Sequence, residues 1–215
     1  ELDEFIDRVI VPLEEKDDNI RFFDHRRENE RTDWDREGLP NHEWELLLHR
    51  VKRLADEAGV YRYPFPPEFG GRNGTNLGMA VIREHLAHRG LGLHNDLQNE
   101  HSIVGNNVGL LLMLHYGTEE QKAQWIDDLA EGKRGFAFGI TEPKHGSDAT
   151  HMETTAVKDG EEWIINGEKI WNTGIHNAQY DMIMARTSGK AGDAAGITAF
   201  LVPRDAPGFE VVEYL

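Results

Sequence analysis

The hydrophobic period of this chain changes once, near residue 134, and that change limits the fold more than any other feature. Before it, apolar residues recur three and four apart, as on one face of a helix; after it, they alternate. A chain that carries first one period and then the other reads as α+β, with helices gathered in one domain and strands in the next. The expectation is an N-terminal all-α helical domain over residues 1–133 and a mostly antiparallel β domain over residues 134–215. The 215 residues exceed the usual domain size of about 100–150, which leaves room for both.

Within the first half, Leu2, Phe5, Ile6, Val9 and Ile10 share a helix face that Pro12 is expected to interrupt, since proline lacks the N–H and crowds the preceding turn. Residues 14–38, rich in Arg, Asp and Glu, read as helical or irregular and well solvated. The stretch "PNHEWELLLHRVKRLADEAG" places Trp44, Leu47, Leu48, Val51, Leu54, Ala55 and Ala58 on one face, with Gly59 as the C-terminal cap. "YPFPPEFGG" is a break. Thr75 caps "NLGMAVIREHLAHRG", and Thr118 with Gln121 forms a capping box ahead of "EEQKAQWIDDLAEG".

The second half offers "GFAFGI", "ETTAVKDG", "EEWIINGEKIWN", "YDMIMART", "GITAFLVPRD" and "GFEVVEYL" as strands divided by Gly, Asp or Pro. Asn166-Gly167 is read as a type I′ hairpin turn, because both residues accept positive φ. Pro143 ends the first strand, having no N–H for a ladder. Gly146 and Ser147 behind it are expected to make a compact turn.

A net charge of −16 speaks against nucleic acid or an anionic membrane as partner, both being polyanions. The absence of Cys removes disulfides and thiolate chemistry together. No signal-like segment opens the chain, and the longest apolar runs, such as "GLLLML", fall far below the roughly 18 residues of a membrane span. The expectation is a cytoplasmic protein. Starting at Glu1 and stopping at Leu215 inside an alternating pattern, the chain reads as a piece of a longer one. His85, His88, His94 and His101 lack the His-Glu-x-x-His spacing of a metal site and read as ordinary histidines. There is no dinucleotide fingerprint, phosphate-binding loop or nucleophile elbow.

"ITEPKHGSD" followed by "INGEKIWNTG" resembles the two flavin-binding signatures of the acyl-CoA dehydrogenase family. "PPEFGG", "YGTEEQKAQWIDDLAEGK" and "VPRDAPGFEV" extend the resemblance over nearly the whole chain. It implies the family's N-terminal helical domain and most of its middle β domain, without the third, helical domain. It further implies FAD as cofactor and α,β-desaturation of an acyl-CoA, with electrons passing to an electron-transferring flavoprotein. A homodimer or homotetramer is the implied assembly. Phe138, Ile140 and Thr141 would line the isoalloxazine. Gly146 and Ser147 would approach the diphosphate or ribityl region, Ser147 also meeting the acyl-CoA. Trp171, Asn172 and Thr173 would close the site from the second motif. The catalytic base belongs to the absent domain, so none of the 39 carboxylates is assigned that role. A flavin oxidase or monooxygenase of the same fold, and a non-catalytic acyl-CoA or flavin-binding scaffold, stay open as alternatives.

The sequence departs from the family pattern in three places. Phe138 stands where many relatives carry tyrosine. Lys144-His145 replaces small residues, either as a cation that meets phosphate or as a solvated loop. His94, Asn95, Asp96, Gln98, Asn99, Glu100 and His101 crowd a segment that is fairly apolar in the family. Burying such groups unpaired is costly, so they are expected to be solvated or subunit-facing, or else to meet a polar substrate.

Overall fold

The computed structural model describes residues 1–96, 101–105, 108–131 and 133–212. They fall into two compact units, Glu1–Lys133 and Arg134–Leu215. In chain order the helices are α1 (Leu2–Phe5), α2 (Val11–Glu15), α3 (His42–Glu57), α4 (Asn76–His88), α5 (Val108–Tyr116) and α6 (Glu119–Ala130). The strands are β1 (Thr32–Asp33), β2 (Leu39–Pro40), β3 (Asn95–Asp96), β4 (His101–Ser102), β5 (Phe136–Gly139), β6 (Thr155–Asp159), β7 (Glu162–Asn166), β8 (Tyr180–Arg186) and β9 (Ile197–Pro203).

Pro12 does not end the first helix. A π-turn over Ile6–Ile10 joins α1 to α2, and Pro12 sits in the first turn of α2. Widening the turn ahead of a proline relieves the clash with the carbonyl four residues back, and the helix continues. Ile6, Ile10 and Leu13 are thereby all buried. On α3, capped by the Asn41 side chain, Trp44, Leu47, Val51 and Ala55 are buried, whereas Ala58 is exposed. Thr75 caps α4, and Thr118 with Gln121 makes the reciprocal capping box of α6. These ends are local, and so legible in the sequence.

The helical unit is not purely α, and its polar stretches are less solvated than their composition suggests. β1 pairs with β2 and β3 with β4, each in a two-residue antiparallel ladder. Lys16–Phe23 and His25–Glu30 are tight 3₁₀ turns broken by non-helical residues, but Phe22 is buried against Trp44. Arg31 lies over the rings of Phe23 and Trp44, its centre 4.9 and 4.6 Å from their centroids. The segment expected to be solvated or subunit-facing is instead buried within the unit at His94, Asn95, Asp96, His101 and Ser102. Partners make that possible at Asp96 and His101. Arg31 donates to Asp96 Oδ2 at 2.6 Å, and the His101 ring shares a 2.8 Å hydrogen bond with the Leu93 carbonyl. Burial pushes His101 down to about 4, so it is neutral at ordinary pH. Gln98, Asn99 and Glu100 lie outside the described residues.

In the second unit β8 is central. It pairs with β5 in parallel from Phe136↔Tyr180 to Gly139↔Ile183, with β9 antiparallel over seven residues, and with β6 in parallel at Thr155↔Arg186. β6 and β7 form the hairpin, but not through Asn166-Gly167. Asp159 pairs with Glu162, and Gly160 alone takes positive φ, the pattern of a type II′ turn. Gly167 serves another purpose: a Cβ there would lie 2.2 Å from Thr154 Oγ1. "GFEVVEYL" forms no strand over its described part, residues 208–212. Alternation specifies a strand only where a neighbour supplies ladder bonds, and Val212 is almost fully exposed. No described helix is long and apolar enough to cross a membrane.

Candidate functional site

The two glycine- and threonine-bearing motifs lie side by side in the β unit. β5 ends at Gly139. Glu142 and His145 then exchange both main-chain hydrogen bonds, at 3.0 and 3.1 Å, around Pro143 and Lys144. The compact turn is therefore centred on Pro143-Lys144, where proline's fixed φ suits the first corner. Gly146 and Ser147 form the exposed bend behind it, leading to Asp148, whose carboxylate caps a short 3₁₀ turn. A Cβ on Gly146 would meet nothing within 4 Å.

Glu142 anchors this loop. Its carboxylate is buried and accepts from the Glu153 amide at 2.6 Å, the Thr154 amide at 2.9 Å and Lys169 Nζ at 2.8 Å. Burial alone would raise its pKa; Lys169, Thr154 and the two amides outweigh it and hold the group at about 2. Such a carboxylate is an anchor, unable to take a proton near neutral pH.

Lys169 ties the second motif to the first. Its ammonium also donates to the Ile140 carbonyl at 3.2 Å, and the Ile170 amide donates to the Thr141 carbonyl at 2.9 Å. The chain then turns sharply. Trp171 adopts φ +62°, a left-handed conformation costly for an aromatic residue, with 65% of its surface exposed. The Thr173 amide bonds back to the Trp171 carbonyl at 2.9 Å. Asn172 Nδ2 donates to Asp181 Oδ2 at 2.6 Å, fixing the far side of the loop to β8.

The residues singled out by the sequence thus have definite places. Phe138 is 42% exposed on β5, Ile140 and Thr141 are half-buried beside the second motif, and Trp171 and Thr173 are exposed. Asn172 is turned towards Asp181. No hydrogen bond joins Gly146 or Ser147 to the second motif among the described residues. Lys144 is exposed and pairs with Glu153 at 3.1 Å. Sequence reasoning missed Lys169, Thr154, Asp181 and Gly139. Asp181 had a signal: it is the single acid inside the apolar run "YDMIMA".

Elsewhere, an open cleft of about 460 Å³ in the helical unit is lined by Pro64, Pro66, Phe69, Leu111, Leu114 and neighbouring polar residues; none of the candidate flavin-site residues borders it. Among the described residues, no group of three or more His, Asp or Glu is arranged to hold a metal.

Sequence profiles of the acyl-CoA dehydrogenase N-terminal and middle domains match residues 4–133 and 137–215. A Bacillus subtilis protein described as a probable acyl-CoA dehydrogenase, YngJ, is 36% identical over 172 residues, covering 78% of this chain and 42% of its own length. The (2S)-methylsuccinyl-CoA dehydrogenase of Cereibacter sphaeroides is 34% identical over 164 residues, 76% of this chain and 29% of that protein. Among solved structures, glutaryl-CoA dehydrogenase of Mycobacterium smegmatis in complex with FADH2 superposes with a TM-score of 0.63 at 26% identity, over 96% of this chain and 44% of that one. A Mycobacterium abscessus protein assigned to the acyl-CoA dehydrogenases reaches 0.71 at 30% identity, over 96% and 49% respectively. The chain spans less than half the length of each of these relatives. It belongs to the acyl-CoA dehydrogenase family, whose N-terminal and middle domains it carries.

Proposed function

We propose that this chain is the flavin-holding part of an acyl-CoA dehydrogenase that works within a longer polypeptide, desaturating an acyl thioester between its α and β carbons. One observation carries the reading. Trp171 is a large apolar side chain on a strained backbone, braced on one side by Lys169 and on the other by Asn172, yet left facing outwards. Strain maintained by its surroundings around an exposed aromatic is characteristic of a binding surface. The flat, largely apolar isoalloxazine of FAD fits such a surface.

Phe138 and Ile140 extend the apolar lining, and the hydroxyls of Thr141 and Thr173 are donors for the polar edge of the ring. Asn172 contributes through its main chain, because its amide is committed to Asp181. The open space at Gly146 suits close approach by a diphosphate, with Ser147 on the side of the acyl-CoA. When bound, FAD supplies a hydride acceptor at N5. The residues of this chain orient ring and thioester and shield them from water, where hydrogen bonds to a developing charge are strongest. Glu142, held ionised at about 2 and fully bonded, is not the base that removes the α-proton. That base is assigned to the remainder of the polypeptide. The relatives named for acyl-CoA substrates, and the one solved with FADH2, support the reading. It includes an electron-transferring flavoprotein as acceptor, a homo-oligomeric assembly and a cytoplasmic setting.

The test compares the intact protein with residues 1–215 plus added FAD, against a panel of acyl-CoAs with an artificial electron acceptor. Only the intact protein is expected to turn over, since losing a positioned base costs about 10²–10⁴-fold. An intact protein whose flavin no acyl-CoA reduces, or a 1–215 chain within about tenfold of it, would overturn the assignment.

A further inference from the structure

Asp181 and Asn172 face each other with one hydrogen bond made and two acceptors left over. Asn172 Nδ2 donates to Asp181 Oδ2 at 2.6 Å. The second oxygen of each side chain, Asp181 Oδ1 and Asn172 Oδ1, is buried and has no hydrogen-bond partner. Two orphaned acceptors on the members of one bonded pair suit a carboxylate badly, because each oxygen has lost water and gained no well-formed hydrogen bond, the Gly139 amide acting on Asp181 without closing one. One proton removes both deficits. A carboxylic acid can donate its O–H to Asn172 Oδ1 while Oδ2 keeps the amide bond, closing a two-bond acid–amide ring. Gly139 makes room for it: a Cβ there would lie 3.0 Å from Asp181 Oδ2 and 3.1 Å from Asn172 Nδ2.

We propose that Asp181 holds a proton shared with Asn172, and that this acid–amide pair is the positioning device of Trp171; its consequence for flavin rests on the function proposed above. Asn172 follows Trp171 directly, so clamping Asn172 fixes the left-handed turn that presents the indole. The surroundings raise the proton affinity of Asp181, so the pair is neutral on the acid side of about pH 6. Asp181 is 1% exposed, and burial pushes it up to about 6 against the opposing pull of Asn172, the Gly139 amide and Lys169. Opposite Asp181, β5 presents Ala137 and β9 presents Val202, neither titratable. The charged group acting on it is Lys169, whose ammonium is already bonded to Glu142 and the Ile140 carbonyl. Loss of the proton leaves the second oxygen of each side chain without a donor, which loosens the hold on Asn172 and, through it, on the left-handed turn at Trp171.

The test uses the intact protein, its Asp181→Asn variant and infrared difference spectra. Asparagine at 181 offers N–H donors where the acid has O–H, and so keeps the ring at every pH. At about pH 5, where an ordinary aspartate is ionised, wild type minus Asp181→Asn should show the carbonyl stretch of a protonated carboxyl. The band should vanish at about pH 8 and shift in Asn172→Ala, which lacks the second hydrogen bond. FAD should bind wild type roughly fivefold more weakly at about pH 8 than at about pH 5, the worth of one hydrogen bond. Asp181→Asn should hold the tighter value at both. No protonated band at the lower pH overturns the pair. An unchanged pH slope in Asp181→Asn overturns its role in positioning Trp171. A protein that takes up no FAD contradicts the function proposed above, while the infrared band still decides the pair.

Discussion

Two buried carboxylates brace the same loop from opposite sides, and their surroundings treat them in opposite ways. Glu142, reached through Lys169 just before Trp171, collects an ammonium and two amides and is held at about 2. Asp181, reached through Asn172 just after Trp171, collects one side-chain amide and is pushed up to about 6. Both are almost completely buried. Burial therefore does not decide the charge of a carboxylate; the number of donors delivered to it does. One end of the loop is a fixed anchor, and the other is poised to respond to pH.

The anchor should show the larger effects. Glu142→Ala or Lys169→Met each leaves an uncompensated buried charge and should cost about 3–5 kcal/mol of stability. The double variant should cost less than the sum, and a thermodynamic cycle from denaturant midpoints measures the difference. Additive losses would mean that the two groups are not the pair described. The pH signs are opposite as well. Glu142 is depressed below its ordinary 4.5, so its contribution is present above about 4.5 and lost as pH falls through about 2. Asp181 is raised above its ordinary 3.8, so its contribution is full below about 3.8 and lost as pH rises through about 6. Asp181→Asn should accordingly raise stability at about pH 8 by on the order of 1 kcal/mol and leave it unchanged at about pH 4. A gain of the same size at both pH values would remove the contrast between the two ends.

Trp171 tests what the bracing is for. Trp171→Gly relieves the positive φ and should raise stability by roughly 1 kcal/mol relative to Trp171→Ala. Both should lose flavin, because the lost ring rather than the backbone makes the surface. If the glycine variant keeps flavin, the turn and not the indole is the functional element. The smallest effect should come from the helical unit. His85→Ala removes an exposed 2.8 Å contact with Asp3 and should change stability by less than about 0.5 kcal/mol, with no change in flavin content.

What was legible in the sequence was local. The caps at Thr75 and Thr118 need only their own next turn, and the period change at residue 134 needs only the neighbours of each residue. The errors came where distant residues decide. Asp96 is buried because Arg31, 65 positions away, reaches it. Asn166-Gly167 lost the hairpin to Gly160, since Gly167 is required against Thr154. Pro12 left its helix intact through a π-turn that no spacing announced. In the candidate site, the aromatic and hydroxyl residues are proposed from their motifs, whereas Lys169 carries no such signal in the run "INGEKIWN". Its partners lie 27 and 29 positions earlier in the chain.

The central claim is that the Trp171 loop, braced at both ends, is a flavin surface. It is tested most directly by flavin content per chain after gel filtration of the intact protein, alongside Trp171→Ala, Thr141→Val and His85→Ala. The account predicts about one FAD per chain for wild type and His85→Ala, and clear loss for the other two. A wild-type protein that stays colourless with excess FAD, or equal flavin content in all three variants, would contradict it.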